Sequence, residues 1–122
     1  MATRGWEGIT SGANSSGTSK YHNRRVTLDG LRFDSVREAG YWQVLQSRAA
    51  AGEITELRRQ VAFPLLCPFE DRSVMVCTYI ADFTYRDRDG FHVVDVKGMK
   101  TPMYRLKKRW LQLQDGIVVE EA

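Results

Sequence analysis

Apolar residues along this chain follow two periods, and each change of period marks out an element. Val36, Ala39, Trp42, Leu45 and Ala49 recur at helical spacing, which predicts a helix opened by Asp34-Ser35, running to about Ala51 and closed by Gly52. Three strand-like stretches follow: Arg59 to Leu65, Val74 to Tyr85, and the segment after Gly90 that ends in Asp95-Val96-Lys97. Pro64 or Pro68 is expected to end the first, because proline lacks the amide hydrogen of a central ladder, and Asp71-Arg72 or a pair close by is expected to turn the chain into the second. Helical spacing returns with Met103, Leu106, Trp110 and Leu113, the expected core face of a second helix from Pro102 to Gln114, stopped at Asp115-Gly116. Ile117 to Glu120 supplies a last strand. Ahead of them all, Val26 to Leu28 and Leu31 to Phe33 flank Asp29-Gly30 and read as a short hairpin. After that hairpin the expected order is helix, three strands, helix and strand, an α/β arrangement.

Met1 to Lys20 show no period and are rich in Gly, Ser, Thr, Ala and Asn, so residues 1–20 are expected to form a flexible arm, with Trp6 its one aromatic residue. Residues 21–122 are left as a single domain. A chain of 122 residues with 43% hydrophobic content supports one core. No apolar run approaches membrane-spanning length and no basic-then-apolar leader opens the sequence, so a cytoplasmic location and no membrane partner are expected. Cys67 and Cys77, with only two histidines and no CxxC spacing, support neither a disulfide framework nor a zinc site and read as small apolar strand residues. The net charge of +3 suits a nucleic-acid partner.

The chemistry is concentrated between Ile80 and Gly98. With Asp89-Gly90 as turn residues, cross-strand partners sum to 179, which sets Asp82 opposite Lys97 and Thr84 opposite Asp95, and projects Asp82, Asp95 and Lys97 from one face. A bulge near the turn would shift that pairing, so the face is better defined for Asp95 with Lys97 than for Asp82. Crowded carboxylates repel unless a cation lies between them, and magnesium takes hard oxygen ligands from one or two carboxylates plus water and phosphate. The Val96 carbonyl offers a further oxygen, and Lys97 is placed to orient or deprotonate a water. Glu38 has two competing roles. Ser35-Val36-Arg37-Glu38 matches a capping box, and the same carboxylate is a candidate third acidic group. On the second helix Arg105, Lys108 and Arg109 share a face, with Lys107 at its border and Lys100 just before it. That face reads either as solvated surface or as a phosphate track. Arg24 and Arg25 allow the same two readings.

The chain resembles a family of small phage and prophage proteins assigned to the PD-(D/E)XK nuclease superfamily. The resemblance runs from Tyr21 to Glu120 and rests on K-Y-H-N-R-R-V, D-G-L-R-F-D-S-V-R-E-A, A-G-E-I, Y-I-A-D-F and V-D-V-K-G-M-K in that order. Ala81 replaces the nominal proline, and Asp95 takes the D option of the motif. The resemblance implies a restriction-endonuclease-like αβββαβ core, a mixed central sheet flanked by helices. It implies magnesium-dependent hydrolysis of phosphodiesters, with manganese able to substitute. Asp82, Asp95, Val96 and Glu38 would be the metal ligands, and Lys97 would join Asp82, Asp95 and Glu38 in catalysis. It places Gln60 where relatives carry a polar residue near the metal, and makes Lys100, Arg105, Lys107, Lys108 and Arg109 candidates for contact with DNA.

Phage proteins of this size and chemistry resemble junction-resolving endonucleases that act as dimers. The partners implied are DNA, a second copy of the chain, and phage replication, recombination or packaging proteins in the host cytoplasm. No separate sequence-reading module is evident, so recognition of branched DNA by shape is the expectation. Two rival readings stay open: a non-catalytic DNA-binding or packaging accessory on a nuclease scaffold, and a subunit active only after assembly.

Overall fold

The computed structural model describes residues 25–96 and 99–122. The expectations for the arm, Trp6, Arg24 and Lys97 therefore fall outside the described residues. These fall into two compact units, one ending at Gly40 and one beginning at Tyr41, and each is described by itself.

In the first unit β1 (Val26–Leu28) and β2 (Leu31–Phe33) form an antiparallel hairpin, closed by Leu28 opposite Leu31. Asp29 and Gly30 both take positive φ, 54° and 79°, the mirror-image turn whose twist matches the flanking strands. Phe33 is buried. Helix α1 (Val36–Ala50) then begins, and the Ser35 hydroxyl accepts from the Glu38 N–H at 3.1 Å, satisfying one of its open donors.

Within the second unit α1 ends in a left-handed cap. Gly52 has φ 80°, its N–H donates to the Ala49 carbonyl, and the Glu53 N–H donates to the Arg48 carbonyl. Trp42 and Leu45 are buried as the helical spacing predicts, whereas Val36, in the first unit and at the start of the expected stripe, is 61% exposed.

Four strands make one mixed sheet in the order β3 (Thr55–Phe69), β4 (Arg72–Asp87), β5 (Gly90–Asp95), β6 (Val119–Glu121). The first three are antiparallel and β6 runs parallel to β5. Such a parallel pair needs a crossover connection, here carried by α2 (Pro102–Asp115). From α1 onward the order is helix, three strands, helix and strand.

β3 is longer than expected, because neither proline stops it. It is an edge strand, where a missing amide hydrogen can face away from the ladder. At that edge the Gln114 side chain takes the place of a neighbouring strand. Its Oε1 accepts from the Leu66 N–H at 2.7 Å, its Nε2 donates to the Pro64 carbonyl at 2.9 Å, and Trp110 Nε1 donates to the Leu66 carbonyl. The turn into β4 is Glu70-Asp71, overlapping the expected pair, with Glu70 at φ 58°. Cys67 is exposed and Cys77 half-buried, so only the second behaves as the small apolar residue expected.

The core face of α2 also differs from expectation. Thr101 caps the helix through its hydroxyl, Pro102 opens it, and Gly116 at φ 71° closes it. Tyr104 and Leu111 are its buried residues, packed with Leu65, Tyr79, Ala81, Val93 and Val119. Of the expected core face, Trp110 is partly buried against this cluster, whereas Met103, Leu106 and Leu113 are exposed. Two apolar stripes run along this helix, and the buried one is that whose tyrosine hydroxyl finds a carboxylate partner, Glu121, at 2.8 Å. Leu106 and Leu113 of the other stripe, with Trp110, Leu66 and Pro68, line an open groove of ≈ 590 Å³.

Candidate active site

Asp82 and Asp95 lie on neighbouring central strands, and the turn between those strands sets their register. Arg88 and Asp89 form the turn, with Asp87 opposite Gly90, so partners sum to 177 instead of the expected 179. The Asp87 carboxylate accepts from the Asp89 N–H at 2.8 Å, a local bond that fixes the apex one residue early, and Gly90 follows at φ 126°. Thr84 therefore faces Val93, not Asp95, and the register carried inward brings Asp82 level with Asp95.

The alternation of β4 then slips at Asp82. Phe83 pairs with Val94 and stacks on Trp42, ring centroids 5.7 Å apart, while Thr84 pairs with Val93 on the opposite face. Tyr79 and Ala81 should share the face of Phe83, yet they pack with Val93 and α2, and the Tyr79 hydroxyl reaches Asp95. β3 adjusts at the same level. Arg59 opposite Phe83 and Val61 opposite Ala81 flank Gln60, whose φ is 54°. Gln60 thus lies across the ladder from Asp82, at the kink. Such irregularities re-aim side chains next to functional sites.

The result is a pair of buried carboxylates locked to each other's strand. Asp95 is fully buried; its Oδ1 accepts from the Asp82 N–H at 2.9 Å, and its Oδ2 accepts from the Tyr79 hydroxyl. Asp82, also buried, returns the contact through Oδ2, which accepts from the Val96 N–H at 2.8 Å. A third carboxylate comes from β6, where Glu121 pairs with Asp95 in parallel register. Its Oε2 accepts from the Tyr104 hydroxyl at 2.8 Å and from Lys108 Nζ at 2.9 Å, and Lys100 Nζ lies 2.9 Å from Oε1. Lys108, Lys100 and Tyr104 together hold the Glu121 carboxyl down to about 2. Burial, the bond to Glu121 and the nearby Asp95 and Asp82 carboxylates push the Tyr104 hydroxyl well above the ordinary phenol range.

A family described as a protein of unknown function (DUF1064) matches residues 18–117. The chain belongs to the DUF1064 family. No curated protein and no solved structure matches it. For this DUF1064 member, then, the case for chemistry rests on its own residues.

Of the expected site residues, Asp82, Asp95 and Val96 come together at the β4–β5 junction, and Val96 is buried. Lys97 lies outside the described residues. Glu38 stands in the first turn of α1, only 3% exposed, with its backbone N–H on the Ser35 cap. Among the described residues no group of three or more His, Cys, Asp or Glu is arranged to hold a metal ion. The donor chemistry nevertheless fits magnesium, which is commonly held by one or two carboxylates, with water and substrate phosphate filling the rest.

The basic residues divide. Lys100 and Lys108 gather at Glu121, Lys107 donates to the Thr78 carbonyl at 3.0 Å, Arg109 donates to Gln112, and Arg105 is exposed. Tyr79, Tyr104 and Glu121 were not foreseen as site residues. Tyr79 could have been found from its place three residues before Asp82, but Glu121 is joined to the site by the parallel pairing of β6, and Tyr104 by the packing of α2 against Tyr79.

Proposed function

We propose that this chain is a magnesium-dependent endonuclease that hydrolyses DNA phosphodiester bonds, branched DNA being its preferred substrate in phage DNA metabolism. The observation that carries the reading is the cross-locked pair Asp82 and Asp95, two buried carboxylates from adjacent strands, directly followed in sequence by Val96 and Lys97. Burying two acidic groups side by side is unfavourable unless charge is supplied between them or work is done with them. The order of helix, three strands, helix and strand around a mixed sheet agrees with an αβββαβ nuclease core.

In this reading Asp82, Asp95 and the Val96 carbonyl would hold the ion. When bound, it supplies Lewis acidity at the phosphate. Tyr79 and the Asp82 amide fix the Asp95 carboxylate, and the Val96 amide fixes that of Asp82, so both oxygens are oriented before substrate arrives. Lys97 orients the attacking water. Exclusion of bulk water at Asp95 strengthens each of these electrostatic contacts.

One observation favours a second reading. Both Asp95 oxygens already accept hydrogen bonds, as they would in a purely structural buried aspartate on a non-catalytic DNA-binding scaffold. Cleavage of labelled four-way junction, flap, duplex and single-stranded DNA separates the two. Cutting with magnesium or manganese, stopped by chelator and abolished in folded Asp95→Ala and Lys97→Ala, is the expected result. DNA binding without cutting of any substrate would move the protein to the scaffold reading.

A further inference from the structure

Glu121 is held in a way that resembles a bound anion. Two ammonium groups and one phenolic hydroxyl converge on its carboxylate: Lys100 at 2.9 Å on one oxygen, Lys108 at 2.9 Å and Tyr104 at 2.8 Å on the other. Tyr104 and Lys108 lie four residues apart on α2, which fixes their spacing, and Lys100 directly precedes Thr101, the residue that caps that helix. Lys108 also lies over the Tyr104 ring, 5.9 Å from its centroid. The cradle sits beside the carboxylate pair, since Glu121 is the parallel partner of Asp95 and the Tyr104 hydroxyl feels both Asp95 and Asp82.

We propose that Lys100, Lys108 and Tyr104 form a subsite for a nucleic-acid phosphate next to the Asp82–Asp95 pair, and that Glu121 occupies it as a built-in stand-in which the phosphate displaces. The ligand class rests on the nuclease reading; the cradle does not. A phosphate oxygen asks for the same donors a carboxylate oxygen does, and lysine ammonium groups serve as point charges for either. The exchange is open to solvent on the protein side. Glu121 is 25% exposed, Lys108 30% and Lys100 45%, and ion pairs this exposed are weak enough to swap partners. Charge counting points the same way. With Glu121 in place the cradle carries two positive charges against one negative, and a neutral side chain there leaves both positive charges for the ligand.

The test compares the wild-type chain, Glu121→Gln, Lys108→Met and the double variant by anisotropy of a fluorescein-labelled short DNA duplex in chelator, over a range of salt. Glu121→Gln keeps the side-chain shape and is expected to bind about 3- to 10-fold more tightly, with a salt slope steeper by about 1 as one more ammonium becomes available for a phosphate. Lys108→Met is expected to weaken binding more in the Glu121→Gln background than in the wild type, a coupling that a merely structural ion pair would not produce. Equal or weaker DNA binding by Glu121→Gln, with an unchanged melting temperature, would overturn the subsite. Should Glu121→Gln fail to fold, Lys100→Met/Lys108→Met replaces it: the subsite requires a greater loss of DNA affinity than Arg72→Met/Lys107→Met, which removes the same charge, and an equal loss rejects it. Magnesium-dependent cleavage by the wild type is scored separately. Cleavage with no Glu121→Gln effect sinks the subsite alone, a Glu121→Gln effect without cleavage sinks the nuclease alone, and no DNA binding by any variant sinks both.

Discussion

The Tyr79 hydroxyl donates to Asp95, a residue with no exposed surface. Its removal leaves a buried acceptor short of a partner that water cannot replace. Tyr79→Phe should therefore lose about 1–3 kcal/mol in urea unfolding while keeping the fold, because the ring still packs against Tyr104 with centroids 6.3 Å apart. A change within error would show that the hydroxyl contributes nothing to holding Asp95. In the nuclease reading the same variant should also lose cleavage beyond its loss of stability, since Asp95 would no longer be held in one orientation.

Single side chains add to the ladder bonds of two elements. Gln114 satisfies the free edge of β3 through the Leu66 N–H and the Pro64 carbonyl, and edges left open invite pairing with other chains. Gln114→Ala should destabilise by about 1–3 kcal/mol, at roughly 0.5–1.5 kcal/mol for each bond, and hydrogen exchange at the Leu66 amide should speed up more than at Leu65. The second element is the β4–β5 hairpin, joined to β6 through His92. One ring nitrogen lies 2.5 Å from Glu120 and the other 2.8 Å from Asp87, and the ring stacks on Tyr85. The Glu120 contact raises the imidazole above its ordinary value despite opposing burial, and Asp87 raises it further. Burial of the Asp87 carboxyl is outweighed by His92 and the Asp89 and Gly90 amides, which lower it. Because His92 is raised on folding, its stabilisation is complete below the unfolded value of about 6.5 and is lost as pH rises through the folded value. The melting temperature of the wild type should fall as pH rises above the ordinary imidazole value, and His92→Gln should flatten the fall. An unchanged profile would show that the clamp is not charged in solution.

At the scale of the whole molecule, what could be read from the sequence followed how local each signal was. Asp29-Gly30, Gly52, Pro102 and Gly116 fix turns and helix ends within a few residues, and the elements they bound appear where the pattern puts them. Asp82 and Asp95 were legible as a pair because an even-numbered error in register leaves the faces unchanged. The slip at Asp82 was not, since it depends on Gln60 in another strand. The buried face of α2 was misread for a similar reason. Choosing between two apolar stripes required Glu121, which reaches the site only through the parallel pairing of β6.

The same distinction between local and tertiary commitment decides how the basic residues of α2 should act on a nucleic acid. Sequence places Lys100, Arg105, Lys107, Lys108 and Arg109 in one group, but their partners differ. Lys107 is committed to the Thr78 carbonyl, whereas Arg105 is exposed and Arg109 contacts only the exposed Gln112 of its own helix among the bonds seen. Each ammonium or guanidinium that meets a phosphate releases counterions, and removing one such contact reduces the slope of log affinity against log salt by about 0.9 for duplex DNA. If α2 tracks the backbone, Arg105→Ala and Arg109→Ala should each flatten that slope by about this amount and weaken all duplex sequences alike. Lys107→Ala should leave the slope unchanged and lower the melting temperature instead, because its bond secures the helix to β4. Equal slopes for all three would show that the net charge of +3, and not this face, attracts the nucleic acid.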